Sequence, residues 1–166
     1  MKTPITKKRL ALLPLLMAAA IVLDQITKTL IVHYLPLGEP ARDFLGFRLH
    51  HTRNTGAAFS ILREHPQLLA IAVGVVLLGC VIWLFAELKR PYAQSVCLAL
   101  ICAGGLGNLI DRIRFGYVID FIEPVFMRFA IFNVADMVLT CAVVVWFFLL
   151  IREAWLERRV GIKNEK

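Results

Sequence analysis

Cysteine and charge are both scarce in this sequence. Its four cysteines, Cys80, Cys97, Cys102 and Cys141, all fall inside apolar runs. Because a disulfide forms where an oxidising compartment reaches two thiols, we predict that the chain contains none. We expect each cysteine to act as a small, polarizable packing residue.

Spacings typical of a metal site are missing as well. The four histidines do not pair with a cysteine or a carboxylate at the intervals seen in zinc sites. We therefore predict no metal and no cofactor, and we assign the histidines to the membrane interface or to solvent. They are His33, His50, His51 and His65.

The low charge accompanies a high apolar content. Charged residues make up 19% of the 166 residues and hydrophobic residues 59%, with a mean hydropathy of +0.72. A soluble domain has about 25% charged and roughly 45–50% apolar residues, so these values exclude that class. A helix needs roughly 20 residues to cross the hydrocarbon core. We predict one membrane domain with spans at about 10–32, 67–86, 92–111 and 133–152, and outer loops at 33–66 and 112–132.

Basic residues are distributed unevenly between the two sides of the predicted membrane domain. If both termini face the cytoplasm, the inner segments hold 11 of the 19 lysines and arginines and 4 of the 12 acids. The whole formal charge of +7 then lies inside, as the positive-inside rule predicts. Anionic lipid is a sufficient partner for this charge, and the short lysine run near the N-terminus does not indicate nucleic acid.

The first outer loop is longer than the roughly 2–8 residues that usually join two helices. Residues 44–53 alternate enough to predict a short strand pair, so we expect a small sheet on the outer membrane face. The sequence then continues as Asn54-Thr-Gly56. Asn54 and Gly56 either offer amide and backbone groups to an extended peptide or simply form a turn.

Polar residues recur at one depth in three of the predicted spans. Asp24, Asn108 and Asp136 each lie about 21–24 Å from the inner end of their span, at roughly 1.5 Å per residue. Such a layer indicates a shared pocket. Asp24 and Lys28 are four residues apart on one helix face, where they either form a satisfied ion pair or line that pocket.

The third span combines small residues with charged ones. Residues 103–107 read Ala-Gly-Gly-Leu-Gly and predict a smooth surface against which another helix packs closely. Asn108, Asp111 and Arg112 share one helix face at its outer end. Because Asp111 precedes Arg112 and has Arg114 close by, we expect it to be paired and structural.

Two further aspartates are candidates for acid–base chemistry. Asp120 stands among apolar residues in Val-Ile-Asp-Phe-Ile, a setting that keeps a proton on a carboxyl group. Asp136 follows Asn133 by three residues, so the two either start a helix or belong to the site. Two carboxyl groups that share one proton activate water and protonate a departing amine. We therefore predict that Asp120 and Asp136 form a dyad that hydrolyses an amide.

Five motifs, in order, resemble those of the lipoprotein signal peptidases, the type II signal peptidases of bacterial membranes. They are Leu23-Asp-Gln-Ile-Thr-Lys28, Arg53-Asn-Thr-Gly-Ala-Ala-Phe-Ser60, Gly104-Gly-Leu-Gly-Asn-Leu-Ile-Asp-Arg112, Val118-Ile-Asp-Phe121 and Phe132-Asn-Val-Ala-Asp136. The resemblance covers essentially the whole chain. It implies an all-α membrane protein in which four transmembrane helices carry a small periplasmic β-cradle and a short periplasmic helix.

The resemblance also implies roles for individual residues. Its catalytic aspartates correspond to Asp120 and Asp136. Its substrate-binding residues correspond to Asn54, Gly56, Asn108, Arg112 and Asn133. We expect the remaining polar residues to be structural or to line the site, and they are Asp24, Lys28 and Asp111.

The implied enzyme is an aspartic endopeptidase of the bacterial inner membrane, active toward the periplasmic face as a monomer. It removes the signal peptide from prolipoproteins by cutting just before the lipid-modified cysteine, so its partners are those substrates and membrane lipid.

Two other functions also account for membrane-buried acids or for small residues in a span. A proton-coupled transporter would predict internal repeats, which the sequence lacks, and a non-catalytic scaffold would present the glycine-rich third span to a partner.

Overall fold

Four long helices and a two-stranded sheet make up the protein. The computed structural model describes residues 7–41, 43–56, 66–86 and 91–164. In chain order the elements are α1 (Lys7–Tyr34), β1 (Phe47–Asn54), α2 (Pro66–Ala86), α3 (Tyr92–Phe115), β2 (Val118–Pro124) and α4 (Val134–Asn164). All four helices are long and apolar enough to cross a membrane. The predicted four-helix membrane fold with a small sheet is confirmed.

α3 is the central helix of the bundle. Other parts of the chain bury 61% of its apolar segment, compared with 17%, 17% and 11% for α1, α2 and α4. At the inner end, where α1 begins, Leu13 of α1 and Leu84 of α2 pack against Leu98 and Ala99 of α3. The four cysteines are free thiols within the helices. Large apolar side chains stay exposed along α1, α2 and α4, as expected where a helix faces lipid.

Glycines on α3 allow three helices to approach it. A Cβ atom on Gly104 would lie 2.5 Å from the carbonyl oxygen of Ala135 in α4, and one on Gly107 would lie 2.7 Å from a carboxylate oxygen of Asp24 in α1. A Cβ atom on Gly105 would collide with a leucine side chain of α2. The small residues thus serve three close helix contacts, where the sequence predicted one.

The sheet joins the two outer loops. β1 runs antiparallel to β2, with Thr52 opposite Asp120. The strand pair predicted within residues 44–53 is therefore wrong, because Phe44 and Phe47 close a tight turn and the rest of this stretch belongs to the single strand β1. Its partner reads Val-Ile-Asp-Phe-Ile-Glu-Pro, and these β-branched and aromatic residues favour a strand.

The second outer loop folds by strand pairing. α3 is capped by Gly116, whose φ of 79° lies in the left-handed region and whose N–H donates to the carbonyl of Arg112 at 3.0 Å. After β2 the chain turns back, and Phe132 pairs with Ile122. The short helix implied by the family resemblance is absent from residues 116–133, where Phe132 exchanges backbone hydrogen bonds with Ile122 and the Val125 N–H donates to the carbonyl of Gly46.

Candidate active site

Polar side chains from five elements meet at the outer end of the bundle, where the sheet lies. They fall into two groups. The first surrounds Lys28, between α1 and α3. The second surrounds Asp120 of β2 and Asp136 in the first turn of α4. Asn108 of α3 contacts both groups, because it accepts a hydrogen bond from Lys28 and donates one to Asp136.

Lys28 is almost completely buried, with 1% of its surface exposed. Its Nζ forms ion pairs with Asp24 and Asp111, both at 2.9 Å, and donates to Asn108 Oδ1 at 3.0 Å. These contacts use all three donors of the ammonium group. We call Asp24, Lys28 and Asp111 the buried ion-pair group. Asp111 thus pairs with Lys28 and not, as predicted, with Arg112, because α3 turns its side chain toward α1.

The carboxylates of the buried ion-pair group also accept backbone N–H groups from neighbouring elements. Asp24 Oδ1 accepts the N–H of Ala135 in α4 at 2.9 Å, and Asp111 Oδ2 accepts the N–H of Ile119 in β2 at 3.2 Å. Gln25, which sequence reasoning missed, donates to Asp111 Oδ1 at 3.0 Å. The group therefore fixes α4 and β2 against α1 and α3, since each of these buried bonds is costly to lose.

Asn133 caps α4 and contacts the second group at the same time. Its Oδ1 accepts the N–H of Asp136 at 2.9 Å, and Asp136 Oδ2 accepts the N–H of Asn133 at 3.2 Å, which is the reciprocal arrangement of a capping box. Its Nδ2 donates to Asp120 Oδ1 at 2.7 Å and to Asn108 Oδ1 at 2.9 Å. The helix start and the contact with the site, which the sequence left as alternatives, therefore coexist.

Asp120 is buried, with 3% of its surface exposed. Besides Asn133, Asn54 donates to it, with Nδ2 2.9 Å from Oδ2. Burial raises the pKa of Asp120 to about 6, the Asn54 hydrogen bond opposes this rise, and the charge of Asp136 adds to it. The predicted apolar surroundings are thus incomplete, because two amides face the carboxyl group. A carboxyl group with this pKa exchanges a proton near neutral pH.

Asp136 lies where the helix dipole favours a negative charge, in the first turn of α4. Asn108 Nδ2 donates to its Oδ1 at 2.7 Å. Asparagine amides thus bind both Asp120 and Asp136. Within the described part of the chain, neither carboxyl group has a lysine or arginine nitrogen within 4.0 Å. In the buried ion-pair group, by contrast, both carboxylates lie 2.9 Å from the ammonium group of Lys28.

A cavity of about 470 Å³ lies beside these two carboxyl groups. Its polar lining consists of Asp120, Asp136, Asn54, Gly56 and Arg112. Its apolar lining comes from residues 129–132 and from Met137 of α4, and the same side of α4 adds the hydroxyl of Thr140 and the thiol of Cys141. Sequence reasoning missed this apolar lining, although the run Phe-Ala-Ile-Phe just before the α4 cap was a usable signal.

Arg112 connects the cavity to the end of β1. Its Nη2 donates to the carbonyl oxygen of Gly56 at 3.4 Å, and its Nη1 donates to the carbonyl oxygen of Asn108 at 3.3 Å. Asn54 Oδ1 accepts the N–H of Gly56 at 3.1 Å. The turn that the sequence left open is therefore formed, and both of its residues line the cavity as well.

The predicted site residues thus occupy two layers. Five of them line the cavity, Asn108 and Asn133 hold its carboxyl groups, and the buried ion-pair group lies behind them without lining it. Across the described residues, no three His, Cys, Asp or Glu side chains are placed to hold a metal ion. The cavity lining presents two carboxyl groups, the amide of Asn54, the guanidinium group of Arg112, the hydroxyl of Thr140 and the thiol of Cys141. The amides of Asn108 and Asn133 bind the two carboxyl groups from behind the lining.

A family model described as signal peptidase (SPase) II matches residues 16–152. The chain belongs to the signal peptidase II family. Members of this family are peptidases that remove lipoprotein signal peptides, so this chain is a hydrolase of that kind. The matched residues contain every member of both polar groups.

Individual relatives and solved structures agree with this assignment. A lipoprotein signal peptidase of Streptococcus pneumoniae (strain ATCC BAA-255 / R6) is 39% identical over 147 residues, which are 88% of this chain and 96% of that one. One of Streptococcus pyogenes serotype M2 (strain MGAS10270) is 42% identical over 159 residues, 93% and 99% of the two chains. Two solved bacterial membrane enzymes superpose with TM-scores of 0.82 and 0.77 at 28% and 30% identity, over 93% and 90% of this chain and 94% and 95% of theirs. The predicted family and the multi-pass bacterial membrane location are confirmed.

Proposed function

We propose that this signal peptidase is an aspartic endopeptidase that cuts a prolipoprotein just before its lipid-modified cysteine. The observation that carries the proposal is the meeting of Asp120 and Asp136 at one cavity. They come from different elements, and the charge of Asp136 raises the pKa of Asp120. A second carboxylate close to a buried carboxyl group favours one shared proton over two ionised carboxylates.

The proposed reaction needs only water and this pair. The ionised carboxylate takes a proton from water as the water oxygen attacks the scissile carbonyl carbon, and the protonated carboxyl group gives its proton to the carbonyl oxygen. Collapse of the tetrahedral intermediate breaks the C–N bond, and the amine leaves with a proton from the pair. We assign the initial proton to Asp120, because burial raises its pKa to about 6, while the pair titrates as a unit.

Arg112, Asn54 and Gly56 are the residues that we expect to bind the substrate backbone. The two hydrogen bonds of Arg112 are long, at 3.3 and 3.4 Å, so a substrate carbonyl replaces them at little cost. A well-placed donor to the oxyanion contributes roughly 2.7–4 kcal/mol to lowering the barrier. Arg112 is the one cationic side chain among the described residues that line the cavity with both carboxyl groups.

The position of the cavity suits a substrate that is cut at the membrane surface. It lies where α3 ends and α4 begins, and the distribution of basic residues places this end outside. Its apolar lining at residues 129–132 suits the lipid-modified residue. The scaffold alternative loses support, because the α3 glycines contact other helices of the same chain. All of these residues come from one chain, so we propose that the monomer is active.

A cleavage assay on purified full-length protein tests the proposal. We expect the wild-type protein to release the signal peptide from a lipid-modified prolipoprotein, seen as a mobility shift on a gel, and to leave the unlipidated precursor intact. Asp43→Asn is the matched control, because Asp43 is an exposed aspartate in the first outer loop, paired with Arg48. It should remain active. Failure of the folded wild-type protein to cut the lipidated substrate would contradict the proposal.

A further inference from the structure

A groove follows the seam between α3 and α4 from the outer end of the bundle to the inner end. Its outer section is the candidate active-site cavity. Its middle section, about 420 Å³, is lined by Val96, Cys97 and Leu100 of α3 and by residues 137–145 of α4. Its inner section, about 510 Å³, lies between residues 91–94 and residues 149–157. We call the three sections together the α3–α4 groove.

The outer and middle sections overlap, and the inner section follows them along α4. Met137 and Cys141 line both the outer and the middle section. From there every fourth residue of α4 lines the groove, which keeps the lining on one helix face. These residues are Met137, Cys141, Val145, Leu149, Glu153 and Glu157.

The chemistry changes along the groove. The middle section is lined by apolar side chains and thiols alone. The inner section contains Arg152, Glu153 and Glu157, with a formal charge of −1. Gln94 is buried beside them and donates to Glu153 Oε2 at 2.7 Å. Among the described residues, neither glutamate has a cation within 4.0 Å, although the inner segments as a whole are strongly basic.

The length of the groove matches that of a signal peptide. Asp136 is 17 residues from Glu153 and 21 from Glu157, or about 26 and 32 Å along the helix. A signal peptide has a basic n-region, roughly 7–15 apolar residues and a short segment before the cleavage site. With about four residues in that segment, the part that follows the n-region has about 11–19 residues and is about 17–28 Å long as a helix. A cut at the outer cavity therefore brings the n-region of the longer signal peptides to Glu153, within reach of the long side chains of its lysines and arginines.

We propose that the α3–α4 groove holds the signal-peptide helix of the substrate, with a basic side chain of its n-region at Glu153 and Glu157. This inference rests on the proposed function, since it assumes a cut at Asp120 and Asp136. The acyl chains of the substrate are the competing occupant. Anchored at the outer surface, they reach about half of the roughly 30 Å hydrocarbon core, so they leave the acidic inner section unexplained.

Enzyme kinetics with matched substrates test the inner contact. One lipid-modified prolipoprotein carries two n-region lysines, and the other carries glutamines in their place. With full-length protein in proteoliposomes, Glu153→Gln/Glu157→Gln should raise KM for the lysine substrate about fivefold and leave kcat unchanged, as expected for uniform binding by a partly exposed ion pair. For the glutamine substrate, KM should be the same for variant and wild type. Glu39→Gln, in the outer loop, is the control.

Photo-crosslinking tests the middle section. A benzophenone side chain at position 145, which lines the groove, is compared with one at position 144, which is exposed on α4 outside it. Both are placed in Asp120→Asn, so that the substrate stays uncut. We expect the apolar segment of the signal peptide to crosslink at position 145 and not at position 144. Equal yields at both positions, or adducts of acyl chains alone at 145, would overturn the inference.

The outcomes separate this inference from the proposed function. If the wild-type protein cuts the lysine substrate and KM does not depend on the glutamates, only the groove assignment falls. If the double variant folds poorly because the Gln94 bond is lost, Glu157→Gln alone repeats the test, since Glu157 is exposed and lacks that bond. An equal change in KM for both substrates overturns the charge contact. No cleavage by the folded wild-type protein overturns both proposals.

Discussion

Two sets of aspartates occupy neighbouring layers of the same polar centre and are bound in different ways. Asp24 and Asp111 share the ammonium group of Lys28 at 2.9 Å. Asp120 and Asp136 are bound by the side-chain amides of Asn54, Asn133 and Asn108. An ammonium group supplies a full opposite charge, whereas an amide supplies hydrogen bonds without a charge.

The type of partner suggests which carboxyl groups are structural and which exchange a proton. A carboxylate paired with a buried lysine is held in one place and one state, because removing either partner leaves an uncompensated charge. A carboxyl group held by amides keeps its position while it gains or loses a proton. We therefore propose that the buried ion-pair group belongs to the framework and that Asp120 and Asp136 carry out the reaction, and the predictions below challenge that division.

The largest effect is expected from removing either proposed catalytic carboxyl group. Asp120→Asn and Asp136→Asn should each lower kcat about a thousandfold or more, since Asn keeps the volume but does not exchange the proton. Both variants should stay folded and bind lipidated substrate. Single-turnover cleavage and a binding assay on the same preparations measure this. If Asp111→Asn were folded but inactive while Asp120→Asn kept substantial activity, the catalytic pair would be Asp111 and Asp136.

The next effect is expected in the buried ion-pair group, and it should act on folding. Lys28→Met leaves two buried carboxylates without their cation, which costs about 3–5 kcal/mol, so the yield of folded protein and its Tm should fall steeply. Asp24→Asn and Asp111→Asn should lower Tm by less and keep residual activity in the folded fraction. Thermal unfolding in detergent measures the order. A normal Tm for Lys28→Met would remove the structural role.

A smaller effect is expected in the pH dependence of stability. The pKa of Asp120 is about 6 in the folded protein and about 3.9 in an unfolded chain. The contribution of Asp120 to the free energy of unfolding is therefore fully present below about pH 4. It is lost as pH rises through about 6, and the loss is at most about 3 kcal/mol. Asp120→Asn lacks this loss, so its Tm minus that of the wild type should become more positive between pH 4 and pH 7. A difference that is independent of pH would contradict the raised pKa.

The smallest effect is expected from the amide that faces Asp120 from β1. The Asn54 hydrogen bond favours the ionised form, so Asn54→Ala should raise the pKa of Asp120 further. The alkaline limb of the pH–rate profile should move up by less than about one unit, while the two apparent pKa values still belong to the pair. Thr52→Val is the matched control, because Thr52 donates to the backbone carbonyl of Asp120 and not to its carboxyl group. Its profile should stay in place.

The sequence made the membrane fold predictable because hydropathy and helix length depend on each stretch alone. Four apolar runs were enough to predict four spans. The depth argument predicted a shared pocket for Asp24, Asn108 and Asp136, but only Asp136 lines the cavity. The Asn133–Asp136 spacing likewise predicted a helix start, which the capping box shows. Local patterns of this kind hold wherever the tertiary environment does not compete with them.

Pairings between distant segments were not predictable in the same way. Alternation in residues 44–53 predicted a strand pair within that stretch, whereas its strand β1 pairs with β2, because strand pairing depends on which segments the bundle brings together. Chain adjacency suggested Arg112 as the partner of Asp111, whereas the helix rotation of α3 selects Lys28. Gln25 and the apolar residues 129–132 entered the site for the same reason.

The sequence alone determined a four-span bacterial membrane peptidase of the signal peptidase II family, because spans and ordered motifs are properties of the chain read in one dimension. The tertiary structure decided which aspartates receive a lysine and which receive only amides. That choice depends on the rotation of α1 and α3 about their axes and on the pairing of β1 with β2 across 66 residues of sequence from Asn54 to Asp120. Burial and partner geometry, which separate a structural aspartate from one that exchanges a proton, exist only after that packing is complete.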